Sequence, residues 1–284
     1  MNRISITITL ALTVALLSCA SDPYDPDADG TDGGGGGGTG EYTLVWQDEF
    51  DGSLDQNPDT AKWGYDVGNG DGGWGNGQLE YDTARSENVS LDGEGNLRII
   101  AREENYSGYS YTSARIKTQG KFSRTYGRFE ARIQLPVGQG LWPAFWLLGD
   151  DISTVGWPQC GEIDIMEYRG QEPNRVNGAM HGPGYSGGDP LEGSFTRSGA
   201  GFHEDFHIFA VEWTSSSVSW SIDGTTYMRK SVSDLPAGTE WVFDHPFFII
   251  LNVAVGGRYV GAPDQTTVFP QTMLIDYVRV YAAE

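Results

Sequence analysis

Short runs of strand-forming residues, each closed off by Gly, Asn, Asp or Ser, recur through this chain and limit its fold more than any other feature. They fall at residues 97–101, 127–134, 144–148, 161–167, 206–213, 218–222, 247–255 and 273–281. Helix signals are scarce. Many short strands with turn signals between them fold as stacked antiparallel sheets. After the run 218–222 comes Asp223-Gly224, which suits a type I′ hairpin turn. The predicted fold is all-β: a sandwich of two curved antiparallel sheets, with an open concave face across which a chain-like ligand can lie.

The N-terminal part reads differently. Arg3 precedes an apolar run at 4–17, so residues 1–18 read as an export signal, too short to span a membrane. The sequence Leu16-Leu17-Ser18-Cys19 resembles a bacterial lipobox. That resemblance implies cleavage before Cys19, lipidation of Cys19, and an exported lipoprotein at the cell envelope or surface. The plainer alternative is an ordinary signal peptide with a chance cysteine. Residues 20–41 hold five aspartates and the glycine run 33–38 with almost nothing to bury, so together with Cys19 they read as an anchored flexible tether. Residues 42–284 form one expected domain, acting as a monomer and meeting the membrane only through the lipid. Cys160 is its only cysteine, which leaves no disulfide partner and no basic neighbour to activate the thiol. The formal charge of −21 argues against nucleic acid and polyanionic partners and fits a neutral polymer.

Within 161–167 stands Glu162-Ile163-Asp164-Ile165-Met166-Glu167. On a strand Glu162 and Asp164 share one face while Ile163 and Ile165 take the other. Strict alternation would send Glu167 to the wrong face. One extra residue, at Met166 or its neighbour, forms a β-bulge and brings it back. Three carboxylates on one patch repel and are costly to desolvate, so stability alone does not favour them. Paired carboxylates about 5–5.5 Å apart are what retaining glycoside hydrolysis uses. A solvated acidic edge or a cation site is the bland alternative, and the two isoleucines, which tie the strand to a core, weigh against it.

Trp142-Pro143-Ala144-Phe145-Trp146 puts two indoles on one face with a small alanine between, a flat platform for the apolar face of a sugar. Trp74 lies in a glycine-rich loop and reads as a rim aromatic, whereas Trp63, Trp213 and Trp220 read as packing residues. His181, on an expected neighbouring strand, is placed to bond a sugar hydroxyl or a carboxylate, or else to serve as a structural histidine. His203-Glu204-Asp205-Phe206-His207 matches a zinc pattern that works only on a helix, and here it runs into a strand.

Several blocks, in order, carry a family resemblance: Trp46 to Phe50, Trp74-Gly75-Asn76, Gly127 to Arg132, Trp142 to Leu148, Gly161 to Glu167, Asn252 to Gly257 and Ile275 to Tyr281. The chain resembles glycoside hydrolase family 16, and within it the laminarinase-like bacterial endo-β-1,3-glucanases. The resemblance implies a concanavalin-like β-jelly-roll and retention through a glycosyl-enzyme, with Glu162 as nucleophile, Asp164 as its assistant and Glu167 as acid/base. Asn76, Arg85, Trp142, Trp146, His181 and Asn252 match positions that line the cleft. The extra residue at Met166 fits the laminarinase-like rather than the lichenase-like branch. No catalytic cofactor is implied. A structural calcium is, held by Asp276, an oxygen of Glu49 and a carbonyl near Gly93. Tyr259 stands in a loop where many laminarinases carry tryptophan. Mixed-linkage β-1,3-1,4-glucan, an algal galactan, and a non-catalytic lectin-like role stay open as alternatives.

Overall fold

The computed structural model describes residues 42–284; the expected signal, Cys19 and the tether lie outside the described residues. In chain order the strands are β1 (Tyr42–Asp48), β2 (Gly64–Asp66), β3 (Glu80–Asp82), β4 (Val89–Leu91), β5 (Leu97–Tyr106), β6 (Tyr109–Ser113), β7 (Arg115–Lys117), β8 (Gly127–Gln134) and β9 (Leu141–Gly149). They continue with β10 (Glu162–Tyr168), β11 (Arg175–His181), β12 (Leu191–Thr196), β13 (His207–Trp213), β14 (Ser217–Ile222), β15 (Thr225–Ser231), β16 (Phe247–Val255) and β17 (Gln271–Ala283). All eight runs read from the sequence fall on strands. Asp223 and Gly224 both take positive φ (49° and 76°), as a type I′ turn between β14 and β15 requires.

Among the described residues, one sheet has seven strands in the order β12-β11-β10-β9-β16-β7-β2. The other has ten, along β15-β14-β13-β8-β17-β5-β6-β3, with β1 added on β17 and β4 on β5. The two sheets make a β-jelly-roll sandwich. The pairing is antiparallel with one exception: β3 runs parallel to β6. The core between the sheets holds Phe129, Phe145, Ile163, Met166, Phe209, Trp213, Trp220, Ile249 and Leu251, all fully or almost fully buried. Trp63 is buried too, so three indoles assigned to packing do pack. β16, buried at every residue, reads as a continuous apolar run because it is central in its sheet and covered on both faces.

Alternation along the seven-stranded sheet sends every second side chain away from that core. Register then lines up rows across the strands. Asn177 on β11 lies opposite Glu167 on β10, then Ala144 on β9, Asn252 on β16, Arg115 on β7 and Asp66 on β2. A second row runs Ala179, Asp164, Trp146, Ile250. A third runs His181, Glu162, Leu148, Phe248.

These rows exist only because β10 carries one extra residue. Against β11, Asp164 pairs with Ala179 and Glu167 with Asn177, three steps against two. Against β9, Asp164 pairs with Trp146 and Met166 with Phe145, which leaves Ile165 as the unmatched residue on that side. Ile165 and Met166 both bury their side chains in the core. At this bulge the carbonyl of Asp164 accepts a hydrogen bond of 2.8 Å from Trp220 Nε1, on the opposite sheet. A buried carbonyl left without a donor costs about 1–3 kcal/mol. Trp220→Phe should therefore lower stability by about that amount, read as a lower urea midpoint with unchanged slope.

Candidate active site

Each acid on β10 has an indole or imidazole partner. Trp157 Nε1 donates to Glu162 Oε2 at 3.0 Å, and Trp142 Nε1 donates to Glu167 Oε1 at 3.1 Å. His181 Nε2 stands 3.1 Å from Asp164 Oδ2 and 3.7 Å from Glu162 Oε1. Asp164 is buried between the two glutamates, which keep a partly accessible edge. Gly187 N–H donates to His181 Nδ1 at 3.2 Å, which sets the neutral tautomer with its proton on Nε2, toward the acids.

Burial and the neighbouring Asp164 charge push Glu162 up to about 7, with His181, the Trp157 bond and Arg115 pulling the other way. Glu167 is raised well above the ordinary glutamate range, first by burial and then by Asp164. Burial lowers the affinity of His181 for a second proton, but the Asp164 bond and the three carboxylates outweigh it and raise the ring to about 9. Taking up that proton on Nδ1 would break the Gly187 bond. Both glutamates are pushed toward the protonated form, Glu162 to about 7, so at neutral pH the pair can hold a proton on one carboxyl while the other is ionised. The pair thus offers an anion and a proton donor on one strand.

Around the acids lie most of the residues picked from the sequence. Trp146 Nε1 donates to Asn252 Oδ1 at 2.8 Å, which fixes the second indole of the platform. Trp142 packs on Tyr259, ring centres 4.9 Å apart, and Tyr259 OH accepts from Asn177 Nδ2 at 2.6 Å. Asn76 is exposed on the loop over the end of β16, its carbonyl accepting from Arg258 N–H at 2.9 Å. Arg85 is not brought to the acid strand: it bonds Glu104, Asn88 and Thr112 and stacks on Tyr106, all in the ten-stranded sheet or the loop beside it. Trp74 is not the free rim aromatic expected. It is half-buried, because Gly70 and Gly73 leave room for the ring and the turn, and its Nε1 donates to Asp82 Oδ2 at 2.9 Å. A surface hollow of about 480 Å³, lined by Gln139, Gln171, Asp264 and Thr266 among others, holds none of the three acids.

Residues 74–279 match the family model described as Glycosyl hydrolases family 16. The chain belongs to that family. It is 46% identical over 250 residues to a beta-glucanase of Rhodothermus marinus, covering 84% of this chain and 85% of that protein. Among solved structures it is similar to the catalytic domain of an endo-1,3-beta-glucanase (laminarinase) from Thermotoga petrophila RKU-1, at TM-score 0.82 and 49% identity, covering 87% of this chain and 100% of that one. It is also similar to the endo-beta-1,3-glucanase of Pyrococcus furiosus, at TM-score 0.82 and 46% identity, covering 86% and 96%.

Two residues that serve this family 16 site escaped the sequence reading. Trp157, 46% exposed, sits in a Gly-Trp-Pro turn five residues before Glu162; the logic that singled out Trp74, an aromatic in a loop poor in core formers, applies to it equally. Arg115 lies on β7, a three-residue strand too short to show a pattern, and nothing local marks it out.

The zinc-like pattern is not a metal centre. His207 opens β13 and is engaged by Asp223 at 2.7 Å and Arg197 at 2.6 Å. Among the described residues, the group able to gather around an ion is Glu162, Asp164 and His181. Burial pushes the Cys160 thiol up to about 12, with Glu162 and Asp151 adding to it, so it stays unreactive. In the expected calcium set, the Glu49 carboxylate is taken by Arg279 through two bonds of 2.9 Å, so Glu49 can contribute only its main-chain oxygen. Asp276 gives Arg132 one oxygen, Oδ2, at 2.6 Å.

The Trp157 bond stabilises ionised Glu162, so Trp157→Phe should move its titration above about 7. Carbon-13 NMR of labelled glutamate carboxyls reads this directly. A wild-type Glu162 signal titrating in the ordinary glutamate range would contradict the assignment.

Proposed function

We propose that the chain is an endo-β-1,3-glucanase that cleaves laminarin-type glucan with retention of configuration. One observation carries the reading: a bulged strand that turns Glu162 and Glu167 to one face, with Asp164 buried between them. The similarity to a beta-glucanase and to laminarinase catalytic domains supports the β-1,3 linkage. Glu162 attacks the anomeric carbon as its carboxylate while Glu167 protonates the departing oxygen, giving a glycosyl-enzyme. Glu167, now ionised, takes a proton from water, which displaces Glu162. Burial, and then the Asp164 charge, favour the protonated form of Glu167, and His181 holds Asp164 in place. Trp142, Trp146 and Asn252 line the cleft beside the acids, Asn76 edges it, and Arg85 serves the supporting sheet rather than the acids.

Glu162→Gln and Glu167→Gln should each reduce hydrolysis of a β-1,3-glucan by about 10²–10⁴-fold or more without changing the circular dichroism spectrum. Undiminished activity in either variant sinks the assignment. For the wild type, kcat/KM should rise with pH through about 7 as Glu162 ionises, then fall at higher pH as Glu167 loses its proton. A polysaccharide panel with product sizing separates β-1,3-glucan from mixed-linkage glucan and galactans. Binding without release of reducing ends would favour the lectin-like alternative.

Two finer readings accompany this one. A structural calcium would be held by the Asp276 carboxylate, the main-chain oxygen of Glu49 and a carbonyl near Gly93, and would tie the N-terminal segment to β17. Excess chelator should then lower Tm, and calcium should restore it better than magnesium. Lipidation at Cys19 would anchor a monomeric enzyme at the cell envelope through residues 20–41. Labelling with a fatty acid that fails in Cys19→Ala supports it, and unchanged labelling removes it.

A further inference from the structure

Arg115 enters the cleft face by register. It lies opposite Asn252 on β16 and Asp66 on β2, in the row that also holds Glu167. Its guanidinium carbon lies 4.6 Å from the ring centre of Trp74 and 4.8 Å from that of Trp146. Those two indoles come from unrelated places, a glycine-rich turn and the strand beside β10. The N–H of each is already used inside the protein, by Asp82 and by Asn252. Neither indole can therefore donate to a sugar through nitrogen, and what each offers is ring surface.

The guanidinium is itself fixed. Arg115 Nε donates to Asp66 Oδ2 at 3.0 Å, and the side chain is mostly buried. Two buried carboxylates, Glu80 and Asp82, feel its charge. Glu80 Oε2 accepts from Val255 N–H at 2.8 Å, at the end of β16, and its other oxygen accepts no hydrogen bond from the described residues. Burial raises both acids, Asp82 to about 7, and the Arg115 charge acts against that rise. A buried polar assembly of this kind holds its parts in one arrangement rather than adding stability.

We propose that Arg115 is the positioning residue that sets Trp74 and Trp146 as two fixed walls of the glucan cleft, acting through a guanidinium that lies over both rings. The inference rests on the glucanase reading above. A guanidinium stacks flat on aromatic faces and a lysine ammonium does not, so the role needs arginine in particular. A charge-only role, balancing Glu80 and Asp82, would be met by lysine.

The test compares Arg115→Lys and Arg115→Met with wild type on a soluble β-1,3-glucan, with folding checked by circular dichroism and Tm. Wild-type hydrolysis on its own establishes the parent reading, so failure of that reading shows there and not in the variants. The proposal expects kcat/KM to fall about tenfold in both variants, chiefly through a raised KM, as loss of one cation–π anchor implies. Recovery by Arg115→Lys to within twofold of wild type would overturn it in favour of charge balance. A KM unchanged in both folded variants would also overturn it. Should both fail to fold, Asp66→Ala, which removes the acceptor of the Nε bond while keeping the arginine, takes their place. A raised KM there supports the proposal, and an unchanged one rejects it.

Discussion

The arrangement of this protein turns on one hydrogen bond between its two sheets. A strand that carries an extra residue cannot keep all its backbone groups in the ladder. Here the carbonyl of Asp164 is met by the indole of Trp220, which reaches across the core from β14. Ile165 and Met166 pack into the same core. The bulge is thus held from the apolar side, and on the other face it returns Glu167 to the side occupied by Glu162 and Asp164. Without that support the register on the two sides of β10 could not differ by one step, and every residue beyond the bulge would change faces.

Holding three carboxylates together has an electrostatic cost that the site turns to use. Burial and mutual repulsion raise both Glu162 and Glu167, while an indole donor at each and the nearby His181 act against the rise. The pair can therefore hold one proton beside one negative charge on a single strand. His181 meets two of the acids from β11, and the Gly187 bond on its far nitrogen orients it.

Much of this was legible in the sequence, for identifiable reasons. Strands that pack a core, such as β8, β9, β10 and β16, announce themselves by apolar runs of sufficient length. The short pieces β2, β3, β4 and β7 are three residues each and give no periodicity to read. The parallel pairing of β3 with β6 is a tertiary outcome that no local pattern encodes. The acids were readable because their spacing conflicts with strand alternation unless the chain bulges. Arg115 was not, since one cation in a short strand looks like any solvated position until the sheet sets it between two tryptophans. Trp74 is less exposed than its loop suggests for the converse reason: a loop of glycines can tuck an aromatic against its neighbours as readily as it can display one.

The row from Asn177 through Glu167, Ala144 and Asn252 to Arg115 and Asp66 crosses six strands, one residue from each. Neighbouring strands lie about 4.8 Å apart, a spacing comparable to a hexose ring. The sheet therefore works as a ruler laid across its own strands, and a polymer lying along the row meets a different segment of the chain at each sugar. Contacts far apart in sequence become independent in effect, and preference at one sugar position can drift by changes on one strand while the chemistry on β10 stays as it is.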